Sequence, residues 1–182
     1  MNNSDKNTFY DDMLKGNAHK NIVKNLLEKS GYKVYSFGYE TLLSDVKSRL
    51  TKDTKNSRTV RRIRSSPDLL VYDEQKNDLM LVEVKMRTSC PPRIKPRLIE
   101  RYKEFWDDSI LVIVVKEGNV FYAQRISELE TTPEYYRISD FEKLQDVFIR
   151  VSEKDILHYR EVALETMKTQ KKPTIDEPEE EE

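Results

Sequence analysis

The chain has little cysteine, histidine or glycine, and no long hydrophobic run, and each shortage excludes a class of protein. Its one cysteine, Cys90, leaves no internal disulfide framework and no multi-cysteine zinc site, so it reads as a structural thiol. Four glycines and seven prolines are too few for a low-complexity or collagen-like chain. The longest apolar run, Ile110 to Val115, is strand-sized and far short of a membrane span. The opening stretch, MNNSDKNTFYDD, lacks the apolar segment of a signal peptide, so the expectation is a cytoplasmic protein with no membrane partner. Net charge is scarce too. The 32 basic and 33 acidic side chains leave −1, a total that hides strong local asymmetry.

At 182 residues, with ten tyrosines, six phenylalanines and one tryptophan, the chain has enough bulk for one ordinary core. Residues 17–30 place Ala18, Ile22, Val23, Leu26 and Leu27 on one helical face; Gly31 follows as a stop, and residues 32–37 alternate as a strand. A second short helix is expected over 39–52. The stretch TKNSRTVRRIRSS is too basic and too poor in apolar residues for a core element. SPDLLVY and LMLVEVKM read as two strands joined by DEQKND. CPPRIKPR is expected to be irregular. Residues 97–107 form an amphipathic helix with Leu98, Ile99, Tyr102, Phe105 and Trp106 on its buried side. SILVIVV reads as a buried strand; a turn at Glu117, Gly118 and Asn119 leads to a further strand, VFYAQ, and residues 152–169 form a last helix. The expected fold class is α/β, a small central mixed sheet flanked by helices. Residues 1–16 are an extension, 17–170 the domain, and 171–182 a disordered acidic tail with almost nothing to bury.

The chemistry concentrates between Ser66 and Arg87. In the second hairpin strand, Met80, Val82, Val84 and Met86 point one way, while Leu81, Glu83, Lys85 and Arg87 point the other. A register symmetric about the connection pairs Tyr72 with Leu79, Leu70 with Leu81, and Asp68 with Glu83. Two carboxylates face to face repel unless a cation lies between them, and a hard divalent ion such as Mg²⁺ asks for such oxygen ligands. Lys85 projects from the same face.

Pro67-Asp68 followed by Glu83-Val84-Lys85 across a hairpin resembles the PD-(D/E)XK nuclease superfamily, whose core order is helix, strand, hairpin, helix, strand. The opening pattern Ala18-His19, Ile22, Leu26, Gly31-Tyr32 and Val34 is similar to Holliday-junction-resolvase-like and restriction-endonuclease-like members, and the resemblance covers about residues 17 to 124. It implies a restriction-endonuclease-like core that hydrolyses phosphodiester bonds in DNA with Mg²⁺, or with Mn²⁺. Asp68, Glu83 and Lys85 would be the catalytic residues, with the metal held by Asp68, Glu83 and the Val84 carbonyl. His19 stands where many members carry a helix glutamate, and is a further candidate ligand. A homodimer would bring two such sites together to cut both strands.

Two basic stretches bracket this site. Residues 47–64 hold eight basic side chains and one acid, and residues 85–103 hold seven and one. Arg58, Arg61, Arg62, Arg64, Arg87, Arg93 and Lys95 are the expected DNA contacts, since a phosphodiester backbone needs cations beside the cleft. The alternative is a nucleic-acid-binding or assembly module that keeps the fold without turnover.

Overall fold

The computed structural model describes residues 17–38, 51, 54, 57–87, 93–116, 118, 120–129, 136–137 and 141–169. The expected helix over 39–52 (but for residue 51), Cys90, residues 1–16 and the tail at 171–182 lie outside the described residues.

The first helix, α1, runs through residues 17–29 and buries Ile22, Val23, Leu26 and Leu27. Gly31, at φ +86°, closes it: its N–H reaches the Glu28 carbonyl and the Tyr32 N–H reaches that of Leu27, so the last carbonyls are satisfied while the chain reverses. Strand β1 (Lys33–Ser36) follows, then α2 (Arg58–Arg64), β2 (Leu69–Asp73) and β3 (Asp78–Arg87). After β4 (Arg93–Ile94) come α3 (Pro96–Phe105), β5 (Ile110–Val115) and β6 (Phe121–Arg125). The chain ends in short strands β7 (Tyr136–Arg137) and β8 (Glu142–Lys143), then α4 (Leu144–Val147) and α5 (Glu153–Thr169). No helix among the described residues is long and apolar enough to cross a membrane.

Six strands form one mixed sheet in the order β1-β2-β3-β5-β6-β8, antiparallel throughout except for the parallel β3–β5 pair. The fold is mixed α/β, in the element order that the resemblance implies. The alternation of β5 separates two cores. Ile110, Val112 and Val114 join α1, α4 and α5 on one face, while Leu111, Ile113 and Val115 join Ile99 and Tyr102 of α3 on the other.

One expectation is extended and one changes. The basic stretch contains a helix, α2, outside the main core as expected but stabilised by a Ser57 cap on the Val60 N–H and by only one buried side chain, Val60. Of CPPRIKPR, residues 90–92 lie outside the described residues and the rest is regular but for Lys95: Arg93–Ile94 pair with β7, and Pro96 opens α3, where a missing N–H costs nothing.

The β2–β3 register matches the symmetric one, with Tyr72↔Leu79 and Leu70↔Leu81. The ladder runs out to Asp73↔Asp78, and the tight turn beyond uses Asn77 at φ +51°, a conformation asparagine tolerates. Asp73 holds this turn from beneath. Its Oδ1 accepts the N–H groups of Gln75 and Lys76, at 3.0 and 3.3 Å, and meets Arg150 Nη2 at 3.0 Å. The Arg150 guanidinium lies 3.9 Å from the Tyr32 ring centroid. Arg150→Met would leave the buried Asp73 carboxylate without its cation, and should lower stability in urea by about 2–4 kcal/mol. A loss under about 0.5 kcal/mol would show that the turn amides suffice.

Candidate active site

The polar half of β3 begins where β2 has run out. The last ladder pair is Leu69↔Val82, so the Val84 N–H has no β2 carbonyl opposite it and is met by a side chain, Asp68 Oδ2, at 3.0 Å. Asp68 is fixed through its own carbonyl as well, which accepts the N–H groups of Phe37 and Gly38 at 2.9 and 3.3 Å. Its second carboxylate oxygen, Oδ1, faces the Lys20 ammonium at 3.7 Å.

Glu83 projects from β3 onto the α3 side of the sheet, where its parallel neighbour is Leu111. It is 2% exposed. Lys85, two residues along, is ion-paired with its Oε1, and the Tyr102 hydroxyl of α3 hydrogen-bonds to it. Burial pushes the Glu83 carboxyl up to about 7, against the pull of Lys85; the negative charge of Asp68 raises it further, and the Tyr102 bond lowers it. The same burial, with Glu83 beside it, raises the Tyr102 phenol.

Lys85 also lines a cleft of about 940 Å³ between α2, the end of β3 and α3. Arg61 and Arg64 come from α2, Arg87 from β3, and Lys95, Arg97 and Arg101 from α3 and its approach; Glu100 and Glu104 are the acids. Glu83 does not itself line this space, which it meets through Lys85. Burial lowers the pKa of Arg87. Arg58 and Arg62 do not line the cleft but stand over aromatic rings, Arg58 at 6.0 Å from Phe105, which does line it, and Arg62 at 5.0 Å from Trp106. Arg61 adds an ion pair to Glu104 at 3.0 Å. The side chain of Arg93 lies outside the described residues.

His19 is buried on α1, at 1% exposure. Among the described residues no three His, Cys, Asp or Glu side chains form a metal-binding group, His19, Asp68 and Glu83 included. The α1 side chain that reaches Asp68 is Lys20, which sequence reasoning missed. The available signal was helical: His19 lies one turn from the inward Ile22 and Val23, so its neighbour falls at the rim of the stripe, over the end of the sheet. Tyr102 was expected as core, and it is both core and the partner of Glu83. Arg97 and Arg101 belonged to a basic stretch but were not singled out.

No family model and no curated protein sequence matches this chain. Among solved structures it is similar to Hjc of Archaeoglobus fulgidus, a Holliday junction resolvase from an archaeal hyperthermophile. That likeness covers 73% of this chain and 94% of that one, at 14% identity and a TM-score of 0.45.

The raised Glu83 carboxyl ties stability to pH. With the unfolded value near 4.5 and the folded value about 7, the folded chain binds more protons across that window. Stability contributed by Glu83 is therefore full below about 4.5 and lost as pH rises through about 7. Glu83→Gln should flatten this slope and, by about pH 8, exceed wild type in urea by up to roughly 3 kcal/mol. A gap that is equal at about pH 5 and about pH 8 would show that Lys85 and Tyr102 keep the carboxylate ionised.

Proposed function

We propose that the chain is a metal-dependent DNA endonuclease. The observation that carries this reading is the buried Glu83 carboxylate, repelled by Asp68 and joined through Lys85 to a cation-lined cleft. Repelling carboxylates in a partly dry site are a donor set for a hard divalent ion, Mg²⁺ or Mn²⁺, which would relieve the strain that burial places on Glu83. Asp68 and Glu83 would hold it with the Val84 carbonyl, and His19 is the remaining candidate. When bound, such an ion neutralises charge that develops on a phosphate.

The residues of the chain supply the rest. The cleft arginines and lysines, drawn from α2, β3 and α3, seat the phosphodiester backbone, whose charge such guanidiniums match. Lys85, held by Glu83 at the cleft wall, orients water towards phosphorus and stabilises the charge that accumulates on the non-bridging oxygens. Water adds to phosphorus and one ester P–O bond breaks. The proton that water releases is balanced by the one the departing oxygen takes up, leaving a phosphomonoester and a hydroxyl end. A homodimer would let two such sites cut both strands, within the cytoplasm.

A second reading has its own observation. Ammonium groups, Lys20 and Lys85, stand beside both carboxylates, so the site is charge-balanced without an added ion. That arrangement suits a binding or assembly module that keeps the fold without turnover.

Purified protein incubated with linear, branched, flapped and single-stranded DNA separates the two. The nuclease reading expects cleavage with Mg²⁺ or Mn²⁺ and none with EDTA. Glu83→Gln and Lys85→Ala should each reduce it at least about 100-fold while DNA binding survives. Changing Arg61, Arg62 and Arg64 together to alanine should weaken binding to every sequence and flatten its salt dependence. Salt-sensitive binding without cleavage of any substrate would establish the module; equal cleavage by Glu83→Gln would place the reaction elsewhere.

A further inference from the structure

Lys20 stands where the chemistry of Asp68 gives it a specific consequence. Asp68 Oδ2 accepts the Val84 N–H with one lone pair and keeps another for an ion, while Oδ1 faces Lys20 at 3.7 Å. The Lys20 side chain is only 13% exposed. Gly38 packs against the pair: a Cβ placed there would lie 3.6 Å from Lys20 Nζ and 3.7 Å from Asp68 Oδ1. The ammonium is thus lodged between α1 and the entry to β2, on the Asp68 side, while Lys85 accompanies Glu83.

We propose that Lys20 takes the place of a second metal ion beside Asp68, confining the site to one divalent ion, and that it donates to a non-bridging oxygen of the bound phosphate. This rests on the reading that Asp68 and Glu83 bind such an ion. A protonated amine has no lone pair, so it cannot be a ligand. It repels any ion sharing Oδ1, yet supplies the positive charge that a second ion would have given to the phosphate. No third acid joins the two carboxylates among the described residues, so a second ion would have to share Asp68 Oδ1, where Lys20 stands.

The test is calorimetric titration of the full chain with Mn²⁺ and Mg²⁺ in the absence of DNA, run on wild type, Lys20→Met, Lys20→Arg and Lys20→Glu. Melting temperature and cleavage are followed in parallel. Wild type should bind one ion per chain. Lys20→Met, which keeps the stem but not the charge, should bind Mn²⁺ at least about tenfold more tightly and cleave at least about tenfold more slowly. Lys20→Arg should retain the wild-type affinity and part of the cleavage, and Lys20→Glu should take up a second ion.

An affinity in Lys20→Met within about twofold of wild type, with a lower melting temperature, would overturn the proposal and make Lys20 a tether between α1 and the hairpin. Undiminished cleavage by Lys20→Met would overturn the phosphate contact. If wild type binds no ion and cuts no DNA, the nuclease reading fails on its own account. The Lys20 proposal, which rests on that reading, then falls with it, whereas an unchanged affinity in Lys20→Met beside one ion in wild type overturns the Lys20 proposal alone.

Discussion

The bond from the Val84 amide to the Asp68 carboxylate is the constraint on which the site depends. A strand amide facing the end of a shorter neighbour must find an acceptor, because burying it unpaired is costly. Here the acceptor is a side chain, and its use fixes two things together. It takes over where the β2 ladder stops, and it leaves the other Asp68 oxygen to face Lys20 of α1. The site is thus an extension of sheet pairing by other means, and its geometry is as well determined as the hairpin register.

Around that bond the two cores have different tasks. The larger one, beneath α1 and α5, contains Val82 and Val84 and holds β3 at its place in the sheet. The smaller one, beneath α3, surrounds the polar face of the same strand, so that Glu83 is dry although it lies beside a charged cleft. Dryness gives the carboxyl its unusual proton affinity, and the adjacent guanidiniums keep the field at the cleft positive. Neither core alone would produce that combination.

Much of this was legible in the sequence. The alternation of β3 and the symmetric turn gave the register, since a slip of one residue would send Val82 and Val84 to the polar face. The first helix, its glycine stop and the all-apolar β5 were equally readable. What stayed hidden depended on partners distant in the chain. α2 has one buried residue and is held by Arg58 and Arg61 over Phe105, by Arg62 over Trp106, and by the Trp106 indole N–H donating to the Arg62 carbonyl, contacts that no local pattern announces. Pro96 signalled a break in the local pattern, yet it opens a helix, because its fixed φ suits a first turn. Lys20 was obscured by its neighbour: the resemblance drew attention to His19, while the side chain that meets Asp68 is the next one along.

The placement of Asp68 and Val84, 16 residues apart, has a consequence for how the molecule is assembled. Closing a short hairpin costs little chain entropy, whereas the parallel β3–β5 pair must wait for the whole α3 crossover to be ordered. The carboxylate that orients the site is therefore fixed by one of the least expensive loops in the fold. The edge strand β8 pairs with β6, three places from β3 in the sheet, so a change there leaves that loop closed.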